Sequence, residues 1–461
     1  MIYRRVHFAL QSLLQLIPTA TNVLSSQLRN SFPNTWDTEN VHSRYIHNIL
    51  KIIQYAPELR AEILALITER VVDIDVQVQV DIEDLDDIED TLVQDISKRT
   101  GFVEDAMDDE DDDESDDESE SGDETDSDAE KAKMVRKNVL KLDLIMDILF
   151  NYYDPIFTKS TPGAKESTFN LLLSHFKNII LPTYRSRHTQ FLLFHYAQTS
   201  PALIDLFVNS CIQVAFEKGR QPTVRQAAAA YLASFIARGS QVSSTTVQEV
   251  FAYLGQQVNA FHKEHEPTCR GPDLRRYSVY YSQVQALLYI FCFRWRDLET
   301  PPSEPGSPYI SLSSADSNRH TFVAGVKETL STNVFSTKLN PLKVCSPVIV
   351  NEFVHVAHKL DVLYAFHIVD ANKRTRLGNG IAHSLLGLPE RGTALSGRGD
   401  ESMWQLDGYF PFDPYHLPRS RRWVAADYRE WEPLPGDDRR EESESGESDD
   451  EETGTGSESE G

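Results

Sequence analysis

The chain has 461 residues, of which 40% are hydrophobic and 25% are charged, and its formal net charge is −26. This length suits two or three ordinary domains or one extended solenoid, and it excludes a small scaffold that depends on disulfides for its stability. The negative charge has to be located along the chain before it is interpreted.

Two segments account for the negative charge. Residues 104–130 hold 18 acidic and no basic side chains, and residues 437–461 hold 12 acidic and 2 basic ones. Without these two segments, the remaining residues carry a net charge of +2. Those remaining residues still include an acidic run at 73–103, with 10 acidic and 2 basic side chains. The parts of the chain best suited to folding are therefore mildly basic.

The cysteine content and the hydropathy of the sequence indicate in which cellular compartment the protein resides. The four cysteines are too few and too scattered for a disulfide framework, which favours a reducing compartment. The N-terminus leads directly into an amphipathic pattern and lacks the apolar stretch of a secretory signal. The longest apolar runs, 142–150 and 286–293, are about half of the ~20 residues that a membrane-spanning helix needs. We therefore expect a soluble, intracellular protein without a membrane segment.

In chain order, the recurring pattern is a stripe of apolar residues at the i, i+3, i+4 and i+7 spacing of an amphipathic helix. The stripes occupy 45–53, 59–74, 135–149, 169–180, 203–216, 224–236, 247–261 and 277–293. Pro57 separates the first two, as expected at a helix boundary. Strand-like alternation is confined to 76–80, which we assign to the end of a helix. The pattern predicts an all-α protein.

The helix starts also suggest a repeat. Starts near 203, 224, 247 and 277 place every second start 44 to 53 residues apart, close to the ~40–47-residue period of stacked helix pairs. Segment 222–236 has proline in its first turn, then Val-Arg and a run of alanines, and resembles the second helix of a HEAT repeat. The alternative is an alanine-rich helix of some other all-α domain. We predict a HEAT-repeat-like α-solenoid in which Ala228 faces a neighbouring helix and Arg225 fixes the turn between repeats.

Composition divides the chain into five segments. In order, we predict N-terminal helical repeats (1–98), a disordered acidic loop (99–132), central and C-terminal helical repeats with a Pro/Ser linker at 301–317 (133–369), an irregular aromatic and proline-rich region (370–436) and a disordered acidic tail (437–461). Because helical periodicity resumes after the acidic loop, that loop interrupts a fold and does not end one.

The motifs of the common enzyme classes are missing from the sequence. It has no phosphate-binding loop, dinucleotide fingerprint, nucleophile elbow or kinase signature. His262, His265 and Cys269 have faintly metal-like spacing, but no second cysteine pair completes a zinc site, and we interpret them as a polar helix end. We predict no catalytic residue, no cofactor and no metal.

The acidic runs contain candidate phosphorylation sites. Ser115, Ser121 and Ser448 are each followed three residues later by glutamate, the pattern that suits an acidophilic kinase, and phosphate would deepen the local negative charge. The alternative is that serine is a common filler in acidic sequence.

Several stretches, taken together, resemble one family. They are 7–19 (His-Phe-Ala-Leu-Gln-Ser-Leu-Leu-Gln-Leu-Ile-Pro-Thr), 55–64, Val-Asp-Ile-Asp at 72–75 running into 83–87, Leu-Asp-Leu-Ile at 142–145, Val-Arg-Gln-Ala-Ala from 224, and Tyr-Phe-Pro-Phe-Asp-Pro at 409–414. In these the chain is similar to the RNA polymerase I-specific transcription initiation factor Rrn family, also called transcription initiation factor IA. The match covers most of residues 1–430, with the acidic insertion in the same place.

The resemblance implies a non-enzymatic HEAT-repeat scaffold of the nucleus and nucleolus. It implies binding to RNA polymerase I near its stalk, a link to promoter-bound core factor at ribosomal RNA genes, and a homodimer when unbound, with no sequence-specific DNA binding expected. It also implies regulation by phosphorylation on a serine-bearing, polymerase-facing surface of the N-terminal repeats. Ser12, Ser25 and Ser26 fall in the corresponding region. Relative to the family the chain opens in mid-solenoid, so the first repeats are expected to be missing.

Other hypotheses stay open from the residues alone. A solenoid nuclear-transport receptor can also carry an acidic loop, although it would need more repeats and more tryptophan than the 5 found here. An acidic histone-binding chaperone would place the function in 104–130. For Ser25 and Ser26, a purely structural role is to cap a helix after Leu24.

Overall fold

The computed structural model describes residues 2–17, 19–83, 125–184, 186–300, 320–336, 338–374, 405–432 and 434. It divides into a body, Met1–Arg429, and a short unit, Glu430–Gly461, whose described residues have no regular secondary structure. The predicted linker at 301–317, the acidic tail at 437–461 and the acidic loop up to residue 124 lie outside the described residues.

Five helices form the first described part of the body, on either side of residues 84–124, which lie outside the description. They are α1 (Ile2–Leu16), α2 (Ala20–Asn30), α3 (Glu39–Ile52), α4 (Arg60–Glu83) and α5 (Thr125–Lys159). Pro57 opens the 3₁₀ turn that leads into α4, and α4 runs through 76–80, which confirms that this alternating stretch is helical. Both α3 and α4 pack against α5, so the helices on the two sides of the acidic insertion belong to one fold.

The start of α5 corrects a predicted boundary. The sequence assigned 99–132 to the disordered acidic loop, whereas α5 already begins at Thr125. High acidity alone therefore placed the boundary too late.

The middle of the body holds six helices. They are α6 (Pro162–His175), α7 (Phe191–Ala197), α8 (Pro201–Phe216), α9 (Pro222–Arg238), α10 (Ser244–His265) and α11 (Leu274–Arg294). Proline occupies the first turn of α6, α8 and α9, where its missing N–H is not needed. The side chains of Ser243 and Asp273 accept hydrogen bonds from backbone amides at the starts of α10 and α11. The four starts predicted near 203, 224, 247 and 277 are thus confirmed to within three residues.

Shorter helices complete the described body. They are α12 (Val326–Val334), α13 (Pro341–Val344), α14 (Pro347–Lys359), α15 (helical over 366–374) and α16 (Arg421–Val424). Among the described residues, no helix has both the length and the apolar character needed to cross a bilayer.

Helices that are close in sequence pack on one another, although not always on the next one along the chain. α8 packs on α9, α9 on α11, α11 on α10 and α14, and α10 on α12. The described ranges contain no β-sheet, and β-pairing there is limited to the isolated bridges Gly239–Tyr428 and Glu299–Phe322. The body is all-α with a HEAT-repeat-like, solenoid arrangement, as the apolar stripes predict.

The alanine-rich helix α9 lies at the centre of this stack. Ala228 is fully buried, which confirms that this position faces neighbouring helices. Arg225 is half-buried, and its Nε donates a 3.0 Å hydrogen bond to the carbonyl oxygen of Ala215 near the end of α8. Arginine at this place satisfies a carbonyl that the end of α8 leaves without a helical partner, so it fixes the turn between the two helices.

Candidate protein-interaction surface

Residues 405–429, here called the C-terminal strap, form part of the core of the body. The ring of Phe412 is fully buried and meets five aromatic rings of the middle helices at centroid distances of 4.9 to 6.2 Å; they belong to Phe191, Phe194, Phe207, Tyr231 and Phe235. The sequence predicted an irregular region here. The strap does lack long helices, but its aromatic residues are packed as core.

Two buried carboxylates of α5 hold the strap. Asp143 accepts hydrogen bonds from the backbone amides of Arg419 and Ser420 at 2.7 and 2.8 Å, and also from the Ser420 hydroxyl. Asp147 accepts from Arg422 Nη2 at 2.7 Å and from the indole N–H of Trp423 at 2.9 Å. Buried carboxylates require such partners, and here they tie α5 to the strap.

A third buried carboxylate, Asp75 of α4, holds the loop before α7. It accepts hydrogen bonds from the hydroxyls of Ser186 and Thr189, from the backbone amides of His188 and Thr189, and from the His188 ring at 2.8 Å. Burial alone would raise the pKa of Asp75, but His188 and these hydrogen bonds hold it below its ordinary value.

These carboxylates hold parts of the fold that are far apart in sequence. Asp75, Asp143 and Asp147 accept hydrogen bonds from backbone amides or neighbouring side chains, and the Ser186 hydroxyl donates to Asp75 and Gln190. These contacts support a structural role.

The His262, His265 and Cys269 cluster sits at a helix end. Both histidines lie in the last turn of α10, and the Cys269 thiol donates to the carbonyl of Gly271 at 3.1 Å. The nearby Glu266 accepts from Ser336 Oγ at 2.9 Å. In the part of the chain that the structure describes, no three His, Cys, Asp or Glu side chains are placed to hold a metal ion.

A half-open cleft of about 390 Å³ lies between the strap, α9, α11 and the loop after α6. Its wall is fixed by Asp407, whose carboxylate accepts from the Tyr184 hydroxyl at 2.8 Å and whose carbonyl accepts from Gln285 Nε2 at 2.9 Å. Ala227 and Ala230 of α9 line it.

The first two helices carry exposed apolar residues. We call this set the N-terminal surface: Ile2, Tyr3, Val6, Phe8, Leu13, Leu16 and Val23. The opposite side of α1 is fixed to the body, because the His7 ring hydrogen bonds to the Tyr55 hydroxyl at 2.9 Å and to Asn48 Oδ1 at 3.1 Å. Exposed apolar side chains clustered on a fixed helix are typical of a surface that binds another protein.

The three candidate regulatory serines lie on these same two helices. Ser12 is in α1, half-buried, and its hydroxyl donates to the carbonyl of Phe8 at 3.0 Å. Ser25 and Ser26 lie inside α2, where Ser25 is half-buried and Ser26 exposed. Because α2 starts at Ala20, the idea that these two serines cap a helix after Leu24 is wrong. Ser115, Ser121 and Ser448 lie outside the described residues.

Sequence reasoning missed the three buried carboxylates as anchors. A signal was present for two of them: Asp143 and Asp147 are four residues apart in an otherwise apolar helical run, which places both on one face of a buried helix. Their partners, however, are some 275 residues further along the chain, and no local pattern identifies them.

Comparisons with known proteins agree on one family. The family model "RNA polymerase I specific transcription initiation factor RRN3" matches residues 1–436. The chain is 30% identical over 445 residues to the RNA polymerase I-specific transcription initiation factor rrn3 of Schizosaccharomyces pombe, covering 96% of this chain and 69% of the relative. It is 27% identical to the Saccharomyces cerevisiae factor RRN3, covering 94% of this chain and 71% of that one.

A solved structure is also similar. The crystal structure of RNA polymerase I transcription initiation factor Rrn3 superposes with a TM-score of 0.68 at 26% sequence identity, covering 92% of this chain and 73% of that one. The chain therefore belongs to the RNA polymerase I-specific transcription initiation factor Rrn3 family.

Proposed function

We propose that this chain is a scaffold that binds RNA polymerase I, near its stalk, and links it to promoter-bound core factor at ribosomal RNA genes. The observation that carries the proposal is the match of residues 1–436 to a family named for polymerase I initiation. The relatives are initiation factors, a non-catalytic function carried out in the nucleus, and we propose the nucleolus as the specific location.

The N-terminal surface supports a protein-binding role. Apolar side chains such as Ile2, Phe8 and Leu16 are 73 to 82% exposed, and burying such groups against a partner is favourable. The serines at 12, 25 and 26 share these helices, so a phosphate there would place negative charge beside the apolar contact. We propose phosphorylation of this surface as the regulation, and a homodimer as the unbound form. The family match leaves the transport-receptor and histone-chaperone hypotheses without support.

Binding to purified RNA polymerase I tests the proposal. The chain should co-elute with polymerase I in gel filtration and should not do so with RNA polymerase II at the same concentrations. Addition of purified core factor should then give a three-component complex. If polymerase I and the chain elute separately at every ratio, the scaffold proposal is wrong.

A further inference from the structure

Trp36 stands out in the loop that joins α2 to α3. Its side chain is 81% exposed, whereas Trp295 is only 7% exposed. Tryptophan is the largest apolar side chain and is seldom left in water. The exposure is therefore unusual enough to ask what holds the indole there and what covers it.

The loop is fixed at its start and at its tip. Phe32 is buried, with its ring against those of Tyr45 at 5.1 Å and His42 at 6.2 Å. The buried Lys141 of α5 donates from Nζ to the carbonyl of Thr35, next to Trp36, at 2.5 Å.

A tight turn closes the same loop around Trp36. The Asn34 amide donates to the Asp37 carboxylate at 2.7 Å, and the Asp37 amide donates back to the Asn34 carbonyl at 3.0 Å. Trp36 is thus presented by a backbone that is tied to α3 and α5, so a partner would lose little ordering entropy on binding it.

The surroundings of Trp36 indicate the chemistry of the partner. Val41, in the first turns of α3, is 46% exposed. Asp37 and Glu39 follow Trp36 in sequence. Burial lowers the pKa of Lys141, and both carboxylates lie close enough to it to offset part of that lowering. An apolar tip beside two carboxylates fits an apolar pocket with lysine or arginine at its edge, and a cation can also stack on the indole face.

The same charges argue against a nucleic acid as the partner. Nucleic-acid binding depends on basic side chains that neutralise phosphates, whereas the nearest charged neighbours of Trp36 along the chain are Asp37 and Glu39. Base stacking on the indole would bring phosphates toward these carboxylates. A protein partner is therefore the better fit.

We propose that Trp36 is the anchor of a docking contact, inserting into an apolar pocket with a basic edge on the protein partner. Resting on the function proposed above, that partner is RNA polymerase I. Interface energy is concentrated in a few central residues, with tryptophan the most enriched. The contact uses the loop after α2, whereas the N-terminal surface is defined by residues of α1 and α2.

The experiment measures the affinity of the full chain for purified RNA polymerase I. Trp36→Ala should weaken binding by about thirtyfold, the size of an interface hot spot, and Trp36→Phe should recover part of the loss. Glu39→Lys should slow association and reduce its dependence on salt. Val348→Ala, at a residue that is 77% exposed on α14, is the matched control and should bind as the unchanged chain does.

The outcomes separate the two proposals. If the unchanged chain binds polymerase I and Trp36→Ala binds equally well, the anchor is wrong and the scaffold role stands, whatever Glu39→Lys does. If the unchanged chain does not bind polymerase I, both the anchor proposal and the scaffold proposal are wrong. If Trp36→Ala keeps polymerase binding but loses affinity for a single-stranded RNA oligonucleotide, the loop is a nucleic-acid contact and the proposal is overturned.

Discussion

Asp75 and His188, 113 residues apart in the chain, share a buried hydrogen bond of 2.8 Å between the carboxylate and Nδ1 of the ring. The same carboxylate binds the backbone amide of His188. Asp75 lies on α4, before the acidic insertion, and His188 lies in the loop before α7. This pair therefore joins the two sides of the fold that the insertion separates in sequence.

Replacing Asp75 should strongly destabilise the body. Asp75→Ala leaves the backbone amides of His188 and Thr189 and the His188 ring buried without their acceptor, and breaking a buried polar pair costs about 3–5 kcal/mol. Asp73→Ala is the control, because Asp73 lies on the same helix with its side chain 59% exposed and should change stability by less than about 0.5 kcal/mol. Urea unfolding followed by circular dichroism measures both; equal midpoints would show that Asp75 is not an anchor.

The same carboxylate predicts a pH dependence. Its pKa in the folded protein lies below the ordinary value of 3.8, so its contribution to stability is fully present above that value and is lost as the pH falls through the folded pKa. The free energy of unfolding should decline on acidification below about pH 4, and the decline should be smaller in Asp75→Asn. An identical acid profile for the two proteins would contradict the lowered pKa.

Phe412 tests whether the strap is core. Truncation to alanine removes a fully buried ring from an aromatic cluster, and such changes cost about 3–5 kcal/mol. Phe8→Ala is the matched control because the Phe8 ring is 73% exposed. Thermal unfolding of the two variants should differ by many degrees. If Phe412→Ala and the unchanged chain have the same melting temperature, the strap lies on the surface.

Neighbouring alanines of α9 give a second packing test. Ala228 is fully buried, so Ala228→Leu should overpack the helix contact at a cost of about 1–3 kcal/mol. Ala227 lines the cleft, which has room for a larger side chain, and Ala227→Leu should be close to neutral. Chemical denaturation of the two variants measures the free energy of unfolding of each. Equal losses of stability would mean that Ala227 and Ala228 both face the core.

The serines of α2 test the proposed regulation. Residues 1–72 hold 7 basic and 5 acidic side chains, and two phosphates of about −1.5 to −2 each would reverse that sign. Ser25→Asp with Ser26→Asp should weaken polymerase I binding by about fivefold, or ~1 kcal/mol, while the double alanine variant binds normally. Neither pair removes a helix cap, so their melting curves should match. Equal affinities of the two double variants would show that phosphorylation of these α2 serines does not regulate binding.

The sequence predicts the helices well because their signals are local. Pro201, Pro222, Ser243 and Asp273 mark helix starts with their own backbone or side-chain chemistry, and the apolar stripes give each buried face. The role of the strap is not local. Phe412 and Trp423 look like an irregular aromatic patch until the fold brings them against α5, α7 and α9.

The interaction residues were predictable only in part. Ser12, Ser25 and Ser26 were selected by family resemblance, and their helices prove to carry the exposed N-terminal surface. Trp36 has no sequence signal, because the proposal that it anchors a partner comes from its exposure. That exposure is set by contacts of Phe32 and Thr35 with residues of α3 and α5, the latter more than 100 positions away.

Recruitment of RNA polymerase I to promoter DNA is the direct test of the proposed scaffold role. Labelled ribosomal RNA gene promoter, already bound by purified core factor, is mixed with polymerase I in the presence or absence of this chain, and polymerase bound to the promoter is measured. Polymerase I should be retained only when the chain is present, and the chain alone should not retain the DNA. Retention of polymerase I to the same level without the chain would show that the chain is not the link.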